Sequence, residues 1–468
     1  MVSSNFWDTE VWSLLILLGI LLFSMLVANL LKKTITILRT SLIPTSVLGG
    51  IILLAFTTVY RLITGNIFFN LPIFGASGIT TLEILTYHAL GIGFIAVTMR
   101  PTTMKFNKER NIEIFNTGVT TVSTYLIQAI FGLAITILFS FVITDFLPAS
   151  GLLLPFGYGQ GTGQALNYGN IYEVDYNFVG GRSFGLTIAA LGFLSASIGG
   201  VIYLNILKKK GKINFTDEEI TEAINSEEIQ NEDEVPMNGS IDKMTIQVAI
   251  VIGVYIISYF IMMGLGSLVE SLKSILFGFN FLIGVLIATL VKAVLKYLKK
   301  VKIVKKEYIN GFLMNRIGNF SFDLMIVAGI AAIQLDLIKQ YWYVLLILGI
   351  VGTFITFFYV RYVCNKLFKC YVYEQFFVMY GMLTGTASTG MILLREIDPD
   401  FTTPASDNLV YQNLPAIIFG FPMMLLAAFA PQSTKSTYLT LLIVFLAFIV
   451  MNIILFRKQI FKRKQKNN

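Results

Sequence analysis

Residues 157–165 read GYGQGTGQA and lie between two strongly apolar segments of the chain. Glycine at every second position usually indicates a turn, because glycine adopts backbone conformations that other residues avoid. The apolar segments, however, have the length that crosses a lipid bilayer as a helix. The fold therefore depends on how a glycine-rich loop is accommodated at membrane depth.

The composition of the whole chain is that of a membrane protein. Of its 468 residues, 55% are hydrophobic and 13% are charged, and the mean hydropathy is +0.74. A soluble domain carries about 25% charged residues. Apolar runs recur from VWSLLILLGILLFSMLVANLL (11–31) to YLTLLIVFLAFIVMNIILF (438–456), and they are continuous rather than alternating, which argues against a β-barrel. The sequence predicts an all-α polytopic membrane protein.

The positive charge predicts topology. The net charge of +8 comes from basic clusters that are separated by even numbers of apolar runs. Because cytoplasmic loops accumulate lysine and arginine, we expect the N-terminus outside, the C-terminus in the cytoplasm and no nucleic-acid partner. The clusters lie at 32–39, 100–110, 208–212, 292–306, 361–369 and 457–466. The apolar runs between these clusters predict about eleven transmembrane helices, at 11–31, 42–60, 83–99, 115–144, 183–207, 245–268, 275–296, 309–335, 341–361, 408–430 and 437–456.

A polar, acidic stretch at 213–243 divides the apolar runs into two halves. Such a composition cannot bury a core, so we expect a flexible cytoplasmic linker, with a docked regulatory segment as the alternative. The first membrane repeat then covers 1–212 and the second covers 244–431. An extra transmembrane helix and a basic cytoplasmic tail occupy 432–468.

The two halves contain matching motifs. GTGQA (161–165) aligns with GTAST (385–389), and shortly afterwards YEVDYNF (172–178) aligns with REIDPDF (395–401). Each motif follows the fourth crossing of its half and precedes the fifth, and the halves begin on opposite sides of the membrane. We therefore expect two inverted-topology repeats of five helices, each with a re-entrant hairpin. The hairpins are expected at about 148–172, from the outer side, and at about 374–396, from the cytoplasmic side.

Paired glycine-rich breaks indicate a binding site. Non-helical backbone survives at membrane depth only inside protein or along a wet cavity, and transporters use such pairs to hold substrate and ion near the midplane. The alternative is that the small residues allow close helix packing. The predicted substrate-binding residues are Gly161, Thr162, Gly163, Gln164, Gly385, Thr386, Ala387, Ser388, Thr389 and Arg182. The predicted Na⁺ ligands are Asn167, Thr384, Asp323, Asp407 and Asn408.

Several of these residues also have structural interpretations. Asp323 and Arg316 stand seven residues apart on one helix face and would suit an ion pair. Asp407 would suit a helix cap, and Arg182 would suit lipid headgroups or Glu173. We expect the single histidine, His88, to be neutral and hydrogen-bonded in the bundle.

The fourth crossing carries a polar stripe that we expect to face the binding site. A stripe of hydroxyl and amide side chains on one face of a membrane helix needs polar partners, because lipid offers none. The stripe consists of Thr117, Thr120, Thr121, Thr124 and Gln128.

The sequence argues against an enzyme. GYGQGTGQ lacks the Lys-Ser/Thr pair of a phosphate-binding Walker A loop, and no strand–helix pattern surrounds it. His88, Cys364 and Cys370 form no metal-ligand pattern, and no nucleophile–base set is evident. We expect no organic cofactor.

GQGTGQAL followed by NYGNIYE, together with GMLTGTASTGMILLRE, resembles the bacterial sodium/glutamate symporter family. The resemblance covers the chain except the acidic linker and the last helix. It implies Na⁺-coupled uptake of glutamate by a homodimer in the bacterial inner membrane, with both hairpins on one moving domain. The related citrate/sodium symporters make another carboxylate, such as citrate or malate, the alternative substrate. A channel and a non-transporting membrane sensor are the alternatives from other functional classes.

Overall fold

The computed structural model describes residues 5–101, 108–213, 241–270, 273–278, 280–304, 306–398 and 402–460. Within these ranges the chain forms helices and loops, and no strand. The predicted flexible linker lies largely outside the described residues, at 214–240, and so do 102–107 in the second basic cluster and 461–468 in the basic tail.

Long helices separated by short connections make up the described part of the chain. Before the linker these are α1 (Thr9–Thr34), α2 (Thr36–Thr40), α3 (Thr45–Thr64), α4 (Gly78–Met99), α5 (Lys108–Ser140), α6 (Leu153–Tyr176) and α7 (Gly181–Lys209). After it come α8 (Lys243–Leu268), α9 (Lys273–Gly278), α10 (Asn280–Lys300), α11 (Gly311–Ala331), α12 (Leu335–Ile338), α13 (Trp342–Leu367), α14 (Val372–Thr384), α15 (Ala387–Arg395), α16 (Ala405–Tyr411), α17 (Asn413–Phe429) and α18 (Thr434–Leu455). Short 3-10 turns occur at Phe68–Asn70, Pro72–Phe74, Pro148–Leu152, Lys339–Tyr341 and Ala430–Gln432.

The chain is an all-α, multi-pass membrane protein. Among the described residues, 10 helices are long and apolar enough to cross a membrane, and they include α1, α3, α4, α5, α7, α8, α10, α13, α17 and α18. The predicted total of eleven is larger by one, the eighth predicted crossing. That segment forms α11, whose 21 residues are long enough, but whose asparagines, Arg316 and Asp323 lower its hydropathy.

Exposure separates peripheral helices from central ones. On α1, α8 and α18 less than a quarter of the apolar window is buried, and the exposed side chains include Leu26, Ile256 and Phe445. Apolar side chains are the ones that lipid tails solvate, so these helices have the surface of a lipid-facing layer. On α5 and α7 more than half of the window is buried. These two helices form the centre against which the interrupted segments pack.

Helix α6 is interrupted at Gly161, and its two arms fold back on each other. Gly161 has φ 75° and ψ −166°, a conformation that favours glycine because a side chain would be strained there. The rings of Phe156 and Tyr168 stack with centroids 4.0 Å apart, and those of Phe146 and Phe178 lie 5.7 Å apart. The members of each pair stand at similar distances along the chain on either side of Gly161. We call residues 148–176 the first hairpin.

Helices α14 and α15 form a second hairpin, residues 372–395, whose arms also pack on each other. The break lies at Gly385 and Thr386, where the backbone is not helical and Thr386 is extended. The arms approach closely through glycines: a methyl group placed on Gly381 would lie 2.6 Å from Cα of Gly390. Such a distance excludes any side chain, so glycine at both positions sets the separation of the arms.

Candidate functional site

The tips of the two hairpins meet inside the protein. A methyl group placed on Gly161 would lie 3.3 Å from Cγ2 of Thr386 and 3.8 Å from the carbonyl oxygen of Gly385. It would also lie 3.8 Å from Cε of Met325, on α11. Two glycine motifs from opposite halves of the sequence are thus in contact.

The predicted residues of the first tip are buried. Thr162 Oγ1 donates a hydrogen bond of 3.2 Å to the carbonyl oxygen of Met325. A methyl group on Gly163 would lie 2.8 Å from Sδ of Met325, so Met325 would have to shift to admit a side chain there. Gln164 Oε1 accepts a bond from Asn167, whereas Gln164 Nε2 is buried without a hydrogen-bond partner in the described part of the chain. A buried amide donor of this kind is available to a ligand or to water.

The second tip is partly accessible. Ala387 is exposed, Thr386 and Ser388 are half-buried, and Thr389 is buried. The Oγ1 atoms of Thr386 and Thr389 lie 3.3 Å apart. Residues 387–389 form the first turn of α15, where backbone N–H groups have no acceptor within the helix. An anion at this tip would meet those N–H groups and the positive end of the helix dipole.

Thr384 ends the first arm of the second hairpin and is buried. Its Oγ1 donates a hydrogen bond of 2.6 Å to the carbonyl oxygen of Tyr380, one turn earlier. A methyl group placed on Gly192, on α7, would lie 2.5 Å from the carbonyl oxygen of Thr384. The close approach of α7 fixes the backbone just before the break.

The polar stripe of α5 faces the second hairpin. Gln128 Nε2 donates hydrogen bonds to the carbonyl oxygen of Leu383, at 3.0 Å, and to Thr356 Oγ1, at 2.8 Å. Thr121 Oγ1 donates to Gln412 Oε1 at 2.9 Å. Leu383 is two residues before Gly385, so the stripe holds the backbone next to the break. All five side chains of the stripe are buried: Thr117, Thr120, Thr121, Thr124 and Gln128.

A cavity of about 980 Å³ lies beside the first hairpin, between α4, α6, α8 and α9. Its wall includes two predicted ligands, Asn167 and Arg182. Asn167 is five residues beyond Thr162, which is about 8 Å along the helix, so the cavity approaches the hairpin tips. Asn167 Nδ2 donates to the carbonyl oxygen of Gly278, at 3.2 Å, which ties this arm to α9. The volume suits a small organic ligand with its hydration water.

Arg182 has acidic partners on two helices. Its Nη1 atom lies 3.0 Å from Oε2 of Glu83, on α4, and its Nε atom lies 3.9 Å from Oε1 of Glu173. The Nε atom also donates to Oδ1 of Asn170, at 2.9 Å. Glu83 is 9% exposed, so its charge depends on this arginine. The structural interpretation that pairs Arg182 with Glu173 is thus correct, and Glu83 is a stronger partner that the sequence analysis missed.

The cavity contains charges of both signs. Lys273 lies in its wall with Arg182, and Glu270 lies there with Glu83. The sequence did contain one signal for Glu83: it is an acidic residue at the start of the predicted crossing at 83–99. The pairing itself was not visible, because α4 and α7 are far apart in the chain.

His88 is hydrogen-bonded, as predicted, but it lines the cavity and is exposed. Its Nδ1 atom lies 2.8 Å from the hydroxyl of Tyr255, on α8. The same hydroxyl accepts a bond of 3.2 Å from Asn280 Nδ2, on α10. His88 faces the cavity that α4 and α8 leave between them at this level.

The five predicted Na⁺ ligands do not form one cluster. Asn408 donates to Tyr371 and to Gln375, at 3.0 and 2.9 Å, and Gln375 is nine residues, about 14 Å, before Thr384 along α14. Its neighbour Asp407, at the start of α16, is half-buried. Among the described residues, no group of three or more acidic, histidine or cysteine side chains could hold a metal ion. A cation at the tips would therefore need backbone, hydroxyl and amide oxygens.

Asp323 lies on α11 and is exposed. It does not pair with Arg316, whose guanidinium instead lies over the ring of Phe312, 4.9 Å from its centroid. Met325 contacts the tip of the first hairpin from the opposite face of the same helix, because two residues correspond to a turn of about 200°. The predicted ion pair is thus not formed.

Asp398 follows the second hairpin and accepts hydrogen bonds from Thr402 and Thr403. Burial alone would raise its pKa, but bonds from the N–H and hydroxyl groups of Thr402 and Thr403 outweigh burial and lower the pKa. A lowered pKa stabilises the fold above the pKa of the unfolded state, about 3.9, and the effect disappears as the pH falls through the folded-state value.

We expect Asp398→Ala to lower the free energy of unfolding at pH 7 by at least about 1.5 kcal/mol, the low end for one hydrogen bond to a charged group. The difference from the natural protein should shrink below about pH 4. Unfolding at several pH values measures both effects. Asp336→Ala, in a pair whose carboxylate is 54% exposed, is the control and should change little. Equal stability of Asp398→Ala and the natural protein at pH 7 would show that the hydrogen bonds to the Asp398 carboxylate do not stabilise the fold.

The hairpins, the tip contact and the cavity are properties of this chain's own geometry. Comparison with protein-family models, with curated protein sequences and with solved structures found no match.

Proposed function

We propose that the protein is a secondary active transporter that takes up a small anionic substrate together with Na⁺. The observation that carries the proposal is the contact between Gly161 and the Gly385–Thr386 break, beside a cavity with charged walls. Interrupted helices that meet inside a membrane protein are the usual construction of a transporter site. Both breaks lie within protein, as the lack of hydrogen-bonding partners in lipid requires.

The proposal includes an inverted repeat. The first hairpin follows α5 and precedes α7, and the second follows α13 and precedes α16 and α17. These positions, together with the matching GTGQA and GTAST motifs, support two repeats of five helices with opposite topology. In this arrangement the first hairpin enters from the outer side and the second from the cytoplasmic side, and the N-terminus lies outside. Alternating access then moves the site between the two sides.

We propose glutamate as the substrate, following the resemblance to the sodium/glutamate symporters. Arg182 and the first turn of α15 offer positive charge and N–H donors to carboxylates. Glu83 and Glu270 offer acceptors to an ammonium group. A carboxylate without an amine, such as citrate or malate, is the alternative substrate, and the acidic wall makes it the weaker one.

Na⁺ as coupling ion, a homodimer and location in the bacterial inner membrane are parts of the same proposal. Na⁺ accepts carbonyl, hydroxyl and amide oxygens, which are the groups at the tips. Among the predicted ligands, Thr384 is next to the second break and Asn167 is in the cavity wall.

Uptake into proteoliposomes tests the proposal. We expect labelled glutamate to accumulate against its gradient when Na⁺ is higher outside, and to equilibrate slowly without the Na⁺ gradient. Unlabelled malate and citrate, added as competitors, measure the preference between the two substrate classes. Flux that never saturates with substrate concentration would identify a channel. No gradient-driven uptake of any of these anions would refute the transporter proposal.

Removal of either tip hydroxyl should reduce uptake. We expect Thr162→Val and Thr386→Val each to lower the initial rate at least 10-fold, because Val keeps the size of Thr but removes an oxygen from the tip. The loss of one hydrogen bond costs about 0.5–1.5 kcal/mol, so both variants should fold. Thr289→Val is the control: Thr289 is exposed on α10 and bonds only to its own helix in the described structure. Normal uptake by both tip variants would show that the hairpin tips are not part of the binding site.

A further inference from the structure

One face of α11 has an unusual surface. Arg316, Asn319 and Asp323 are all exposed and stand at i, i+3 and i+7, so they lie on the same side of the helix. We call these three residues the α11 polar face. Continuing along the same side, Ile330 is covered by α3: a methyl group on Gly50 would lie 2.7 Å from its Cβ atom. Helix α3 begins at Thr45, and its Ser46 side chain interacts with Asp323, so α3 covers this side beyond Asp323 and leaves Asn319 and Arg316 open.

The polar face extends into the membrane-spanning layer. A methyl group on Gly93 of α4 would lie 2.7 Å from Cε1 of Phe322, so Asp323 is at about the level of Gly93. Helix α4 continues for six residues to Met99, which places Asp323 about 9 Å inside its end. Gly318 lies at the level of Val97, near that end, because a methyl group on it would be 2.9 Å from Cγ2 of Val97. The face therefore begins with Arg316 near the membrane surface and ends with Asp323 within the hydrocarbon layer.

Contact with lipid would be energetically unfavourable for this face. A charged side chain at the centre of a membrane helix costs about 2.5–3.5 kcal/mol, and an unpaired asparagine amide is also costly there. Elsewhere the exposed side chains at membrane depth are mostly apolar, for example Ile257 on α8 and Phe354 on α13. The α11 polar face departs from that pattern at three consecutive positions of one helix side.

A second copy of the chain is also a poor cover. In a dimer whose two-fold axis, along the membrane normal, passes through this face, Arg316 would meet Arg316 and Asp323 would meet Asp323. Like charges in contact are repulsive. Water, by contrast, solvates all three side chains.

We propose that the α11 polar face lines a water-filled inlet that opens at the Gly311 end of α11 and ends at Asp323. It is separate from the cavity beside the first hairpin, since the residues of the face are absent from that wall. Asp323 is two residues from Met325, whose side chain contacts the tip of the first hairpin at Gly161 and Gly163. The inlet brings water to within one helix diameter of the tips. This inference rests on burial and depth and does not require transport.

Cysteine labelling in membrane vesicles tests the inlet. The background is the full chain with Cys364→Ala and Cys370→Ser, the two free cysteines of the protein. Asn319→Cys carries the measurement, and Phe354→Cys, at a lipid-facing position that is 57% exposed, is the control. The probe is a positively charged methanethiosulfonate that does not cross membranes, applied to either side. We expect Asn319→Cys to react at least 10-fold faster than Phe354→Cys, and from one side only.

Two results would overturn the proposal. One is reaction of Asn319→Cys no faster than that of Phe354→Cys, which would place the face in lipid or protein. The other is an oxidative disulfide between two copies that blocks labelling, which would make the face a dimer contact. If Asn319→Cys does not fold, Arg316→Cys at the inlet's rim carries the same test with the same two outcomes.

Discussion

Replacement of Arg182 by glutamine is expected to reduce glutamate uptake by roughly 10- to 100-fold. Hydrogen bonds to charged groups contribute about 1.5–3 kcal/mol, and each 1.4 kcal/mol corresponds to a factor of 10. The change removes a cation from the cavity wall and leaves the buried carboxylate of Glu83 without its partner. Both effects disfavour an anionic substrate. Initial rates over a range of glutamate concentrations provide the measurement.

Two further variants separate a substrate contact from a purely structural ion pair. In Glu83→Gln/Arg182→Gln the wall regains neutrality, so a structural role predicts recovery of uptake and a substrate contact predicts continued loss. Arg61→Gln is the matched control, because Arg61 pairs with Asp336 near the pocket between α3 and α12 and away from the cavity. Recovery of natural uptake in the double variant would show that Arg182 does not contact the substrate.

Replacement of Gly390 by alanine is expected to destabilise the protein by about 1–3 kcal/mol, the usual range for overpacking. The added methyl group would collide with the carbonyl oxygen of Val378 and crowd N of Met382, at 3.3 Å. Both are backbone atoms of the other arm, so the arms must separate. Separation of the arms would also move the second tip away from Gly161, and uptake should fall with stability. Thermal unfolding in detergent and proteoliposome uptake measure the two effects.

Gly253→Ala, in the middle of α8, is the control for this substitution. A methyl group there would meet no described atom within 4 Å. Alanine inside a helix is favoured over glycine by about 0.5–1 kcal/mol, so stability should be unchanged or slightly raised. If Gly390→Ala is as stable as Gly253→Ala, the close contact of the arms does not determine the second hairpin.

The membrane helices were predictable to within a few residues at most ends. The predicted crossing at 245–268 is α8, which begins at Lys243, and the predicted crossing at 437–456 is α18, which begins at Thr434. Each crossing is a run of apolar residues, and the preference of such a run for lipid is close to a sum over its own side chains. The breaks at Gly161 and Gly385 were predictable for a similar reason, because glycine is suited to a non-helical bend wherever it stands.

The candidate site was predictable only as a set of motifs. The sequence paired the two glycine strings, but their contact in space depends on how α5, α7 and α11 pack around them. The Glu83–Arg182 pair joins residues from separate helices. Asp323 was predicted to bind Na⁺ or to pair with Arg316; the ion pair is not formed, and both side chains lie on an exposed face.

The sequence by itself therefore determined a polytopic helical membrane protein with two glycine interruptions, because hydropathy and backbone freedom are properties of local residues. Only the tertiary structure decided that the two interruptions are in contact, that Arg182 forms an ion pair with Glu83 and that one side of α11 is exposed. Those outcomes depend on the fit of side chains between distant segments, for example where α3 begins relative to α11 and how closely Gly381 meets Gly390. Such fits arise from packing in three dimensions, which no single stretch of the chain specifies.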